Sequence, residues 1–158
     1  SNFRMANEAL FSKVEIPAEN IHRFVPENGE PKAVAELMER EIREVFKLKE
    51  NEFPGFDLIL LGTGNDGHTA SLFPFTEALH ETDKIAAANW VEKLNSWRLT
   101  LTFPTINNAR NIIFLISGQD KAETLREVLH GEFQPERLPS QAIKPVNGNL
   151  LFLTDIKL

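Results

Sequence analysis

Residues 57–74 read Asp-Leu-Ile-Leu-Leu-Gly-Thr-Gly-Asn-Asp-Gly-His-Thr-Ala-Ser-Leu-Phe-Pro, and this stretch decides the fold. The apolar run Leu58–Leu61 predicts a buried strand, which ends abruptly in three glycines at 62, 64 and 67. Open α/β sheets bind ligands at the carboxyl ends of their strands, and the N–H groups of a glycine loop attract anions there. The stretch therefore predicts a ligand site on residues 62–68, the glycine loop, in an α/β protein.

Helical and apolar segments alternate along the rest of the chain. Helices are predicted to start at Asn2, Pro31, Pro104 and Asp120, and strands are predicted at 20–24, 57–61, 84–88, 98–103, 111–117 and 150–153. Asp120 and Glu123 have the spacing of a capping box at the start of the last helix. This alternation predicts one α/β domain over residues 1–158, with a sheet rich in parallel strands and flanked by helices.

Composition excludes several classes of function. The 158 residues carry a net charge of −6, with 42% apolar and 25% charged residues, as is ordinary for one globular domain with a core. The acidic balance argues against a nucleic-acid partner, and no apolar run is long enough to span a membrane. The absence of cysteine excludes disulfides, thiolate catalysis and thiolate metal sites, and it fits a cytoplasmic protein.

The glycine loop admits three interpretations. Its glycines match the G-x-G-x-x-G pattern of dinucleotide sites, but Pro74 would truncate the helix that must follow the third glycine. The glycines can instead form only a tight turn, with Asp66 as a helix cap and His68 in solvent. In the third interpretation Asp66 and His68, separated by one glycine, do acid–base chemistry, because an imidazole titrates near neutral pH.

Four segments of the chain resemble one known family. They are the glycine loop with the residues that follow it, Gly-Thr-Gly-Asn-Asp-Gly-His-Thr-Ala-Ser-Leu-Phe-Pro (62–74), the opening Ser-Asn-Phe-Arg-Met-Ala (1–6), the strand Arg-Leu-Thr-Leu-Thr (98–102) and the helix start Ser-Gly-Gln-Asp-Lys-Ala (117–122). In this order they resemble the signature segments of the 6-phosphogluconolactonases. Leu-Pro-Ser (138–140) and the closing strand fit the same pattern, so the resemblance covers most of the chain.

A related family differs just after the histidine. The glucosamine-6-phosphate deaminases share Gly-x-Gly-x-Asp-Gly-His but resemble Ile-Ala-Phe-Asn-Glu-Pro in the segment that follows. This chain continues with Thr-Ala-Ser-Leu-Phe-Pro (69–74) and lacks the glutamate before the proline. The difference favours a lactonase, with a deaminase-like or isomerase-like sugar-phosphate enzyme as the alternative.

The resemblance implies a Rossmann-like α/β fold and a reaction. The reaction is the hydrolysis of 6-phosphoglucono-δ-lactone to 6-phosphogluconate in the pentose phosphate pathway, with no metal and no organic cofactor. By resemblance, His68 is the general base that takes a proton from the attacking water. Asp66 orients either His68 or the substrate.

The residues predicted to bind the sugar phosphate come from three segments. They are Gly62, Gly64, Asn65 and Gly67 of the glycine loop, Arg98 of a strand and Lys121 at a helix start. Arg98 and Lys121 are expected to hold the 6-phosphate, because guanidinium and ammonium groups bind phosphate well. The loop itself suggests a further role, in which its backbone N–H groups stabilise the oxyanion that forms at the lactone carbonyl.

One part of the family pattern is not found in the 158 residues. Family members carry a Gly-Gly-Ser-Thr-Pro-like loop and an Asp-Glu-Arg segment upstream of the opening segment. The resemblance therefore predicts that the chain is the C-terminal portion of a lactonase domain, with a sheet that is incomplete on its N-terminal side. An incomplete sheet exposes an apolar face and an edge, so we expect a homodimer that covers them. The competing hypothesis is a remnant that binds sugar phosphate without turning it over.

Overall fold

The computed structural model describes residues 2–158, except for the side chain of Asn28, and it alternates helices with strands. The helices are α1 (Asn2–Ala9), α2 (Pro31–Phe46), α3 (Phe103–Asn107) and α4 (Ala122–His130). The strands are β1 (Ile59–Leu61), β2 (Ala86–Val91), β3 (Ser96–Leu101), β4 (Asn111–Ile116) and β5 (Asn149–Thr154). The predicted α/β class is confirmed.

Strands β1, β4 and β5 form a parallel sheet with β4 in the centre. Their register places Leu61 beside Phe114, and Phe114 beside Phe152. Helix α4 lies in the crossover from β4 to β5, as a parallel pair requires. The sheet therefore brings the carboxyl end of β1, where the glycine loop begins, next to the carboxyl end of β4, where the segment leading to α4 begins.

Among the described residues, one face of this sheet is packed and the other is open. On that face Phe114 is fully buried and its ring stacks on Phe152 at 4.6 Å between centroids. Side chains alternate along a strand, so the intervening residues point to the opposite face. The leucines on that opposite face are about half exposed: Leu60 (57%), Leu115 (51%), Leu151 (48%) and Leu153 (47%). The prediction of a buried strand at Leu58–Leu61 is therefore wrong for Leu58 and Leu60, which are exposed because β1 is an edge strand with one open face, whereas Leu61 is buried.

The remaining two strands form a separate antiparallel hairpin rather than joining the parallel sheet. β2 and β3 pair from Ala86 opposite Leu101 to Val91 opposite Ser96. They overlap the predicted strands 84–88 and 98–103, with ends shifted by two or three residues. A short 3₁₀ turn, Glu92–Leu94, connects them. The hairpin packs on α2 through a small apolar cluster that includes Met38, Ile42, Ile85 and Ala86.

The predicted strand at residues 20–24 is not formed. A 3₁₀ turn, Ala18–Asn20, ends there, and the residues after it pair with no strand among the described residues. Phe24 instead packs against the cluster beneath the hairpin, so tertiary burial accounts for the apolar residue. Helix α1 forms as predicted, but none of its described residues is buried and Met5 is 64% exposed. Ser1, the first residue of the predicted opening segment, lies outside the described residues.

Candidate active site

The glycine loop closes on itself immediately after β1. Gly64 N donates to the His68 carbonyl at 3.0 Å, and Gly67 N donates to the Gly64 carbonyl at 2.9 Å. The Thr69 hydroxyl donates to the Gly62 carbonyl at 2.8 Å and fastens the end of the loop to its beginning. These bonds give the loop one defined shape before any ligand is bound.

Within the described part of the chain no helix begins at the third glycine, Gly67, so the dinucleotide interpretation is wrong. Among the described residues, the next helical turn after Gly67 is a 3₁₀ turn that begins at Glu77. A dinucleotide site needs a helix that opens at the loop, because the helix N-terminus holds the pyrophosphate.

The buried hydroxyl of Ser140 supports the glycine loop through hydrogen bonds. Ser140 lies in the 3₁₀ turn Pro139–Ala142, and its Oγ bonds to Thr63 Oγ1 and to the Gly67 carbonyl, each at 2.9 Å. Gly67 has φ +77°, and a Cβ there would lie 2.5 Å from Leu138 Cδ2. The loop therefore needs glycine at this position both for its backbone conformation and for its contact with the residues before Ser140.

Asp66 and His68 form a hydrogen-bonded pair. His68 Nδ1 lies 2.5 Å from Asp66 Oδ1, and His68 N donates to the same oxygen at 3.2 Å. An ionised carboxylate only accepts hydrogen bonds, so Nδ1 carries the proton and Nε2 is left with its lone pair. Gly64 makes room for this pair, since a Cβ there would lie 2.2 Å from the imidazole ring. The interpretation of Asp66 as a helix cap and His68 as a solvated residue is therefore wrong.

Two further side chains complete the surroundings of the pair. The ring of Phe73 stacks on the imidazole, with centroids 4.1 Å apart and planes 20° apart. Lys93, in the turn of the β2–β3 hairpin, forms an ion pair with Asp66 Oδ2 and lies 4.8 Å from the centre of the Phe73 ring. Sequence reasoning missed both residues. Phe73 is close in sequence to His68, whereas nothing in the pattern singles out Lys93.

His68 faces an open cavity of about 680 Å³ at the carboxyl ends of β1 and β3. Gly62, Gly64 and Lys121, all predicted from the sequence, line this cavity together with His68. Ser71 and the segment Leu99–Leu101 also form part of its wall. The structure thus brings the predicted base, two loop glycines and one of the two predicted phosphate-binding cations to one concave surface.

The environment of His68 keeps its imidazole neutral. Partial burial, first, and the positive charge of Lys121, second, lower the pKa of His68 below its ordinary value of 6.5. Desolvation disfavours the charged imidazolium, and a nearby cation adds to the same effect. At neutral pH the ring is therefore unprotonated at Nε2 and able to accept a proton.

Three of the predicted substrate-binding residues do not line this cavity, nor does Asp66, which lies behind His68. The Asn65 amide donates to Asp120 Oδ2 at 3.1 Å, on the side of the loop that faces α4. Gly67 is buried against Leu138, and Arg98 is exposed on β3 beyond the wall that its neighbours form. A role for these three residues in substrate binding stays a prediction.

The hydrogen bonds of the loop limit the predicted oxyanion role. The N–H groups of Gly64, Gly67 and His68 donate within the loop, so these three are not available to an oxyanion, and for the other N–H groups of the loop the role stays a prediction. The predicted capping box of Asp120 and Glu123 does not form. Helix α4 starts at Ala122 after a 3₁₀ turn, with no side-chain cap, and the Asp120 carboxylate accepts from Asn65 instead.

The described residues give two results about other sites. Within residues 2–158, no group of three or more His, Asp or Glu side chains is arranged to hold a metal ion. No helix in the same range has the length and apolar character needed to cross a membrane. The cytoplasmic location and the absence of a cofactor stay predictions.

Comparison with known proteins assigns most of the chain to one protein family. Residues 1–152 match the family described as glucosamine-6-phosphate isomerases/6-phosphogluconolactonase. The chain belongs to this family. The family resemblance predicted from the four segments is therefore confirmed.

The relatives and solved structures are longer than this chain. A 6-phosphogluconolactonase from Synechocystis is 42% identical over 155 residues, covering 98% of this chain and 63% of that protein. The human 6-phosphogluconolactonase is 35% identical over 156 residues, covering 98% and 59%. The 6-phosphogluconolactonase structure from Trypanosoma brucei matches with a TM-score of 0.79 and 31% identity, over 98% of this chain and 65% of that one. The chain therefore spans somewhat less than two thirds of the length of these relatives, and the fold is that of the family.

Proposed function

We propose that this chain carries the proton-transfer centre of a 6-phosphogluconolactonase, which hydrolyses 6-phosphoglucono-δ-lactone to 6-phosphogluconate. The observation that carries the proposal is the Asp66–His68 hydrogen bond at the wall of a cavity that also contains Lys121. The names of the relatives supply the substrate class. The missing glutamate before Pro74 favours the lactonase over the deaminase alternative.

The chemistry follows from the state of the imidazole. Nε2 of neutral His68 takes a proton from a water molecule as its oxygen attacks the lactone carbonyl carbon. The tetrahedral intermediate collapses by breaking the bond between that carbon and the ring oxygen. The imidazolium returns its proton to the departing ring oxygen, which becomes a hydroxyl group, and the carbonyl carbon becomes a carboxylic acid that ionises at neutral pH.

Asp66 and Lys121 have separate tasks in this scheme. Asp66 accepts the Nδ1 proton, fixes the tautomer and holds the ring so that Nε2 is the basic atom. Lys121 is the better-supported ligand of the 6-phosphate, because it lines the cavity whereas Arg98 lies outside the cavity lining. Its charge also adds to the effect of burial in lowering the pKa of His68.

The test is lactone hydrolysis at near-neutral pH with the spontaneous rate subtracted. We expect His68→Ala to abolish the enzymatic rate and Asp66→Asn to lower it strongly. His130→Ala is the matched control, because His130 is exposed in the last turn of α4, away from the cavity. Enzymatic turnover that survives His68→Ala would refute the assignment. If the unsubstituted chain shows no turnover but its His68 resonances shift on adding 6-phosphogluconate, the chain is a non-catalytic sugar-phosphate-binding domain.

We also propose that two copies of this chain associate through the open face of the parallel sheet. The half-exposed leucines of β1, β4 and β5 form a contiguous apolar surface, which soluble monomers rarely leave uncovered. A second copy presents the same apolar face, so a twofold contact would bury both. Light scattering coupled to size-exclusion chromatography should give a dimer that Leu151→Lys dissociates. A clean monomer before substitution would contradict the proposal.

A further inference from the structure

The turn of the β2–β3 hairpin reaches the back of the proposed catalytic pair. Lys93 pairs with Asp66 through Oδ2, while Asp66 holds His68 Nδ1 through Oδ1. The same ammonium lies over the ring of Phe73, which stacks on the imidazole. One lysine therefore contacts both groups that position the imidazole, yet it does not line the cavity that His68 faces.

The burial of one Asp66 oxygen makes this ion pair matter. Asp66 Oδ2 is buried although the side chain as a whole is 29% exposed, and Lys93 is the cation paired with that oxygen. Leaving this oxygen without a partner would cost free energy. The carboxylate would lower that cost by taking up a proton or by stabilising a proton on the neighbouring imidazole. Either outcome would harm a site that needs a neutral, oriented histidine.

We propose that Lys93 is a positioning residue of this site, which anchors Asp66 and balances its charge so that Asp66 orients the imidazole without trapping a proton on it. Its importance for turnover rests on the proposed lactonase function, whereas its effect on His68 does not. Lys93 makes no contact with substrate in this scheme and acts only through Asp66 and Phe73.

The charged groups that face His68 come from three elements. The glycine loop supplies Asp66, the hairpin turn supplies Lys93 behind it, and the 3₁₀ turn before α4 supplies Lys121. A carboxylate bonded to Nδ1 normally stabilises the imidazolium. Here Lys93 pairs with the carboxylate, while burial and then the charge of Lys121 lower the pKa of His68.

The hairpin is attached to the loop region independently of Lys93. The buried Asn89 amide donates to the Ser71 carbonyl at 2.8 Å and to Thr76 Oγ1 at 2.9 Å. Ser71 N donates to Thr100 Oγ1 at 3.2 Å. Because these bonds remain when Lys93 is replaced, a Lys93 variant should keep the hairpin in place and lose only the charge contact.

The test follows the titration of the His68 ring by NMR in the chain as it stands. Lys93→Met should move the midpoint of the His68 titration upward by about 1 pH unit. Lys93→Arg should restore the midpoint, since a guanidinium can make the same ion pair. Lys144→Met is the matched control, because Lys144 also lies over a phenylalanine ring, Phe133 at 3.9 Å, far along the chain from the loop. An unchanged or lowered midpoint in Lys93→Met would overturn the proposal.

A double substitution separates action through Asp66 from a direct effect of the lysine charge. In an Asp66→Asn background, Lys93→Met should no longer shift the His68 midpoint. A shift of the same size in that background would mean that Lys93 does not act through Asp66, and would overturn the proposal.

If the chain hydrolyses the lactone, Lys93→Met should move the acid limb of kcat/KM to higher pH, with the rate recovered above it. A uniform loss at every pH would indicate a merely structural role. Because the NMR result needs no turnover, it decides the role of Lys93 even where the lactonase assay fails.

Discussion

Replacing Gly64 with alanine tests whether the loop is built around the Asp66–His68 pair. A Cβ at Gly64 would lie 2.2 Å from His68 Nδ1 and Cε1, and 2.8 Å from Asp66 Oδ1. The imidazole is a side chain and can rotate away, so we expect the fold to survive and the hydrogen bond at Nδ1 to break. A hydrogen bond to a charged group contributes about 1.5–3 kcal/mol, which corresponds to a fall in Tm of about 3–12 °C in a chain of this size.

Gly62→Ala is the matched control for this substitution. Both glycines line the cavity, but the nearest atom to a Cβ at Gly62 is the Leu115 carbonyl oxygen at 3.9 Å, which is an ordinary contact. The assays are thermal unfolding and the NMR signal of the His68 Nδ1 proton, with lactone hydrolysis as a third measurement. We expect Gly64→Ala to lose the Nδ1 signal and Gly62→Ala to keep it. If the two variants behave alike, the close approach of the ring to Gly64 does not occur in solution, and the geometry of the pair must be revised.

Three further predictions concern the same site. The kcat/KM for lactone hydrolysis should fall as the pH drops through the pKa of His68, because the imidazole must be neutral to accept a proton. Since burial and Lys121 lower that pKa, the acid limb of a pH-rate profile should lie below pH 6.5. Lys121→Met should raise KM for the phosphorylated lactone and move the same limb to higher pH, whereas Lys144→Met should do neither. Ser140→Ala should lower the free energy of unfolding by about 1–3 kcal/mol in a denaturant titration, because it leaves buried partners in the loop unsatisfied, while the exposed Ser12→Ala should have no effect.

The parallel sheet could be predicted from the sequence because its strands are continuous apolar runs. The predicted strand 111–117 and the observed β4, Asn111–Ile116, differ by one residue, because the continuous apolar run at 112–116 is typical of a buried strand. The segment 20–24 was mispredicted for the opposite reason. Its apolar residues suit a strand, but a strand also needs a partner edge, and that depends on the whole fold rather than on local sequence.

The candidate site also contains residues that the sequence could predict and residues that it could not. Asp66 and His68 could be paired in advance because one glycine separates them, so the chain itself keeps them close. Lys93 could not be predicted as part of the site, because its position depends on how the hairpin turn packs against the loop. Its neighbours in sequence form no motif that would distinguish it from the other lysines. Arg98 illustrates the limit of motif resemblance: the next three residues of its strand line the cavity, and Arg98 lies just outside it.

The geometry separates proton transfer from substrate capture. The described groups that orient His68 are Asp66 and Phe73, and they are supported by the turn that carries Ser140 and the hairpin turn that carries Lys93. The cavity wall is less complete, since α1 contributes Asn2 to it while none of the described residues of α1 is buried. A weak lactonase activity in this chain would therefore be expressed mainly as a high KM, with the pH dependence of a neutral histidine base retained. A normal KM together with a lost acid limb would show that the pair, rather than the wall, is the defective part.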